Sequence, residues 1–162
     1  MILLTAFQHT SSEWLIENSD QYLKLFLPND KITDSEKLIG KITNEKIDYI
    51  FSFGQRPNIK DKVHIETIAQ EGELTINSNF DCDALKSSFE KSGIVARISH
   101  NAGTSFCNKL YFNGLQYIIK NGLDIKMVFI HIPFLKNITD PDCFRMQTFE
   151  AIGRCLKSLM SV

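Results

Sequence analysis

Three short segments carry side chains that could cooperate in nucleophilic chemistry. The first reads Ser99-His100-Asn101-Ala102-Gly103-Thr104-Ser105-Phe106-Cys107-Asn108. A strand is expected to end there, a small-residue turn to follow, and a helix to open near Cys107. A thiol in the first helical turn feels the positive end of the helix dipole, which favours thiolate. Free backbone N–H groups at the same place could bind a developing oxyanion. Cys107 also fits the commoner description of a free cysteine, a small buried hydrophobe. The second segment is Val128-Phe129-Ile130-His131-Ile132-Pro133-Phe134. A histidine within an apolar strand is usually a core residue, but His131 lies just before Ile132-Pro133, where a strand must end or become an edge. That places the imidazole near a rim, where it could act as a general base. The third candidate is Glu66, flanked by Ile65 and Ile68. A carboxylate there either faces solvent or needs a partner. Accepting a hydrogen bond from an imidazole would make it the acid of a nucleophile–base–acid set. His64, on the same strand face, is a rival partner for Glu66, and His100 a rival base.

These residues need a frame to bring them together. Short apolar runs alternate with segments of helical period, which predicts an α/β protein. Strands are expected over Met1–Phe7, Tyr49–Phe53 (ending at Gly54), Ile94–Ile98 and Lys126–Ile132. Val63–Ala69 alternates, with His64, Glu66, Ile68 and Gln70 on one side, and Leu74–Ile76 reads as an edge strand. Helices are expected over Ser12–Phe26, over Asp34–Lys46 with Thr33 or Asp34 as cap, over Asp83–Ser92 ending at Gly93, over Ser105–Lys120, and from Pro141 to about Leu159. Parallel strands joined by helices place ligands at the carboxyl ends of the strands. Gly54-Gln55, Asn101–Cys107 and His131-Ile132-Pro133 fall at or near such ends.

Taken together the segments resemble one family, the pyroglutamyl-peptidase I or pyrrolidone-carboxyl peptidases. Ser99-x-Asn101-Ala102-Gly103-Thr104-x-x-Cys107-Asn108 is similar to its nucleophile motif. Phe129-Ile130-His131-Ile132-Pro133-Phe134 is similar to its histidine motif, and Ile65-Glu66-x-Ile68-Ala69 to its glutamate motif. Thr5-x-Phe7 and Gly54-Gln55 also fit, in the same order along nearly the whole chain. The resemblance implies a three-layer α/β/α sandwich with an open, twisted, mostly parallel mixed sheet. It implies removal of an N-terminal pyroglutamyl residue from a peptide, with Cys107 as nucleophile, His131 as base and Glu66 orienting it. Phe7, Gln55 and Phe106 are the substrate-binding residues expected, and no metal or cofactor is. Homo-oligomers are common among its members. The chain departs from the family pattern after Phe7: it continues Gln8-His9-Thr10-Ser11-Ser12 where the family has Pro-Phe-Gly-Gly. The stretch Glu71–Phe80 lacks the family's arginine and its Ile-Pro-Asp-Asn run. Those losses touch substrate contacts. They keep two other readings in play, a cysteine hydrolase with a different amide or ester substrate and a non-catalytic binding relative.

Composition narrows the remaining classes. The 162 residues fit a single domain over 1–162, and the 43% hydrophobic and 23% charged contents are ordinary. A net charge of −1 with no basic block gives no footprint for nucleic acid. No stretch reads as a membrane span or a secretory leader, so a cytoplasmic protein is expected. Cys82, Cys107, Cys143 and Cys155 form no C-x-x-C pair and are not flanked by histidine at zinc-site spacing. Gly54-Gln55-Arg56-Pro57-Asn58 is too irregular for a phosphate-cradling loop.

Overall fold

Apolar runs at Ile2–Phe7 (β1), Tyr49–Arg56 (β3) and Lys126–Pro133 (β8) form the centre of a six-stranded sheet. The computed structural model describes residues 1–161. The order is β2-β1-β3-β8-β4-β7, with Leu23–Leu27 (β2), Lys62–Glu66 (β4) and Val95–Ser99 (β7) completing it. All neighbours are parallel except β4 and β8, which run antiparallel. The helices Ser11–Ile16 (α1), Cys82–Lys91 (α3) and Pro141–Met160 (α5) pack on one face against Leu4, Phe51, Phe53, Ile65 and Ile130. The helices Lys31–Asn44 (α2) and Phe106–Lys120 (α4) cover the other, against Leu3, Phe7, Ile50, Met127 and Phe129. The expected three-layer sandwich with a mostly parallel mixed sheet is what forms. A separate antiparallel pair, Ile68–Glu71 (β5) and Leu74–Asn77 (β6), packs beside α4.

Period 2 sorts the site residues onto one face. Phe7, Gly54 and His131 lie on the α2/α4 side of their strands, opposite Ala6, Phe53 and Ile130, which pack under α1, α3 and α5. Glu66 falls on the same side, opposite Ile65. Because β4 is reversed, its register sets His64 against His131 and Glu66 against Phe129. Glu66 therefore sits one step deeper in the sheet than His131.

Four expectations about elements are corrected. Ser12–Phe26 is not one helix: α1 stops at Ile16, and Leu23–Leu27 pairs in parallel with β1 along Leu3–Phe7. The apolar spacing of Leu23, Leu25 and Leu27 satisfies a sheet edge as well as a helix face. The cap of α2 is Asp30, whose carboxylate accepts from the N–H of Ile32 and Thr33, not Thr33 or Asp34. Gly54 does not end β3, because pairing with β8 continues through Gln55↔Ile132 and Arg56↔Pro133. The alternation across Val63–Ala69 breaks at Thr67. Its N–H donates to Ser99 O, and the chain crosses so that Ala69 packs on the α2/α4 side.

Asp34 is fully buried, and neither carboxylate oxygen has a hydrogen-bond partner. Burial pushes its carboxyl above the usual range. A carboxyl raised in the folded state favours folding as pH falls and penalises it above the folded value. Asp34→Asn should therefore raise the melting temperature at pH 8, and the gain should vanish as pH falls through the carboxylate range. Thermal melts of both proteins across pH 4–8 check this.

Candidate active site

Strand ends and one helix start bring the residues together. Pro133 closes β8 and leaves His131 two residues from the strand end, 4% exposed. Its Nδ1 donates to Glu66 Oε1 over 2.8 Å. A carboxylate can only accept, so Nδ1 carries the proton; in the neutral form of such a ring Nε2 is the acceptor. Glu66 is completely buried, and its Oε2 has no hydrogen-bond partner. The rival pairing through His64 does not form. Glu66 Oε1 instead takes a second donor, Arg56 Nη1, at 3.2 Å. His100 is directed elsewhere, bonded through Nδ1 to Thr67 Oγ1 at 2.7 Å.

Cys107 is the second residue of α4. Its Sγ lies over Gly54, the register partner of His131 on the neighbouring strand. A Cβ at Gly54 would come within 2.6 Å of Sγ and 2.9 Å of Phe129 Cζ, so only glycine lets the thiol reach the sheet. The Phe129 ring also packs against the His131 imidazole, with centroids 5.0 Å apart. Three hydrogen bonds fix the helix that carries the thiol. Tyr111 Oη donates to the backbone carbonyl of Glu66 at 2.9 Å, and Asn108 pairs through its amide with both backbone groups of Gln70.

The helix start is chemically distinct from the others. Thr10, Asp30, Asp81 and Asp140 cap α1, α2, α3 and α5 through their side chains. Ser105, at the N-cap of α4, makes no such bond. The first-turn amides around Cys107 are left to a ligand oxygen. The dipole does not make the thiol acidic, however. Burial pushes it up to about 12, against a lowering by Ser105 and by its own backbone N–H. The expected thiolate-favouring effect of the helix is thus overridden by desolvation.

A cavity of about 330 Å³ opens beside the thiol, lined by Cys107, Phe7, Gln55, Phe106, Asn29 and Phe134 among others. All three expected substrate contacts therefore share one pocket with Cys107. Gln55 Oε1 accepts from the N–H of Ser11 at 3.1 Å, which leaves its Nε2 as a donor. The loop that replaces the family's usual segment forms another wall, through Gln8, His9 and Thr10. Asn29 Nδ2 holds that wall by donating to Gln8 O. The contributions of Asn29, Pro57 and Phe134 carried no sequence signal, since each becomes a lining residue only through tertiary packing.

The family model described as pyroglutamyl peptidase matches residues 38–148, a span that includes Glu66, Cys107 and His131. The chain belongs to the pyroglutamyl peptidase family. A pyrrolidone-carboxylate peptidase of Thermoanaerobacter sp. is 33% identical over 137 residues, covering 71% of this chain and 67% of that protein. One from Brachyspira hyodysenteriae is 29% identical, covering 86% and 81%. The pyroglutamyl peptidase I structure from Bacillus amyloliquefaciens superposes with a TM-score of 0.85 over 95% of this chain and 93% of that one, at 19% identity. The pyrrolidone carboxyl peptidase of Thermococcus litoralis gives 0.83 over 99% and 94%, at 18% identity. The pyroglutamyl peptidase fold thus forms here despite the altered loops.

Two outcomes follow for the thiol. Alkylation of Cys107 by iodoacetamide should climb with pH from 7 to 10 without a plateau, since thiolate accumulates only toward its raised value of about 12. A plateau below pH 8, read by mass spectrometry of the Cys107 peptide, contradicts this. Gly54→Ala should cost about 1–3 kcal/mol in denaturant melts, because Sγ and Phe129 must both move.

Proposed function

We propose that this protein hydrolyses the bond after an N-terminal pyroglutamyl residue of a peptide, with Cys107 as nucleophile. The observation that carries the reading is the buried Glu66–His131 hydrogen bond, with Cys107 at the wall of a small pocket and its Sγ over Gly54, the register partner of His131. Membership in the pyroglutamyl peptidase family supplies the substrate class. The cavity of about 330 Å³ suits a five-membered lactam. Phe7 and Phe106 offer apolar walls for its ring, and Gln55 Nε2 a donor for its carbonyl oxygen.

Each step then has a group to perform it. His131 Nε2 takes the thiol proton as Sγ attacks the scissile carbonyl. Glu66 stabilises the imidazolium that forms. First-turn amides of α4 receive the oxyanion. The C–N bond breaks as His131 returns the proton to the leaving amine, giving a thioester on Cys107 and a free peptide N-terminus. Water, deprotonated by His131, adds to the thioester and releases pyroglutamate and the thiol. A thiol held neutral by burial is compatible with this order, because its proton leaves only when substrate is in place. A mechanism that needs a reduced thiol fits a reducing compartment, the cytoplasm.

A fluorogenic pyroglutamyl amide should be cleaved by the wild type and not by Cys107→Ala. Glu66→Gln should lower kcat by roughly two to four orders of magnitude, through loss of the oriented tautomer. Folded wild-type protein that releases no fluorophore above buffer background would overturn the reading.

A further inference from the structure

Arg56 ends β3 and reaches across β8 to the end of β4. Its Nη1 lies 3.2 Å from Glu66 Oε1, 3.4 Å from Asn101 O and 3.5 Å from His64 Nδ1. Glu66 Oε1 is the same oxygen that accepts from His131 Nδ1. Two donors from two strands thus converge on one atom of a fully buried carboxylate whose other oxygen has no partner. A buried carboxylate is costly unless charge and hydrogen bonds compensate it. A neutral imidazole supplies a hydrogen bond but no charge. The guanidinium supplies both.

We propose that Arg56 is a positioning residue for the hydrolysis, holding Glu66 against His131 and tying that pair to the turn that leads into Cys107. The inference rests on the functional reading above. The Asn101 contact provides the tie. Asn101 O accepts from Arg56, while Asn101 Oδ1 accepts from the N–H of Gly103, four residues before the nucleophile. One side chain therefore spans the acid and the nucleophile loop. Arg56 also settles the rivalry between histidines. Burial first, and then the Arg56 charge, push His64 below its ordinary value. A neutral His64 with Arg56 at its Nδ1 does not compete for Glu66. Arg56 is 31% exposed on its side chain, and it is absent from the pocket wall, so its charge acts on the acid rather than on the ring-binding site.

The groups that face Glu66 are Arg56 from β3, His131 from β8 and His64 on β4 itself. Cys107 stands within electrostatic range of Glu66, and Lys62 within range of His64. Loss of a positive charge that hydrogen-bonds to the Glu66 carboxylate makes proton uptake at this site easier, which moves an acid limb to higher pH.

The test compares wild type, Arg56→Gln and Arg56→Lys. Arg56→Gln should lower kcat about tenfold, the loss of one charge-assisted hydrogen bond. KM should stay within about twofold, since ground-state binding is untouched. The acid limb of its kcat/KM profile should move to higher pH, and Arg56→Lys should restore most of both effects. A readout independent of substrate is the far-downfield proton NMR resonance of the His131 Nδ1–H···Glu66 bond. It should be present in wild type and Arg56→Lys, and shifted upfield and broadened in Arg56→Gln. If wild type cleaves no pyroglutamyl amide, the functional reading fails while this resonance still decides the role of Arg56. Unchanged kcat, acid limb and resonance in Arg56→Gln overturn the proposal. A loss confined to KM also overturns it, because Arg56 would then be a substrate contact. A drop in kcat with an unmoved acid limb and an unmoved resonance overturns it as well, since a merely structural role would do the same.

Discussion

A carboxylate with no access to water is the constraint around which this site is built. Glu66 lies beneath the imidazole, not beside it at the rim, because β4 runs against the direction of β8. In that low-dielectric setting a hydrogen bond gains strength, and an orphaned oxygen costs more. Oε1 takes two donors while Oε2 takes none. The arrangement is thermodynamically poor and geometrically strict. It holds because β3, β4 and β8 are fixed by their ladders and by apolar cores on both sides. The backbone of Glu66 is held as well, since its carbonyl accepts from Tyr111 on the helix of Cys107. Through its two ends Glu66 thus links His131 to the helix that carries Cys107.

The thiol illustrates two local effects pulling in opposite directions. A helix start and its unpartnered amides favour negative charge. Packing against Gly54 and Phe129 removes the water that would solvate it. Burial wins, with Cys107 only 8% exposed, and the thiol is held neutral.

Much of this was legible from residue order. The small-residue turn before Cys107, the Ile132-Pro133 stop after His131 and the apolar flanks of Glu66 each imposed a local geometry, and strand alternation put them on one face. What was not legible depended on pairing between distant segments. Leu23–Leu27 reads equally as helix or strand until β1 is beside it. Arg56 gives no local signal, because its partner carboxylate arrives from another strand ten residues on. Whether Glu66 chose His64 or His131 was undecidable without knowing that β4 runs antiparallel to β8. The cap of α2 was misplaced because Asp30, Thr33 and Asp34 are all competent, and Asp30 is the one whose carboxylate reaches the N–H groups of Ile32 and Thr33.

The absent side-chain cap on α4 has a cost beyond chemistry. With no local brace, the first turn of that helix is held from outside, chiefly by Asn108 gripping Gln70 on β5. That strand belongs to a two-stranded ribbon whose outer member, β6, is mostly exposed. An isolated ribbon of this size is marginal in water. Opening of the ribbon would release the Asn108 grip, and with it the first turn that carries Cys107, without disturbing the six-stranded sheet. The placement of Cys107 therefore depends on a small, partly exposed ribbon as well as on the sheet that carries Glu66 and His131.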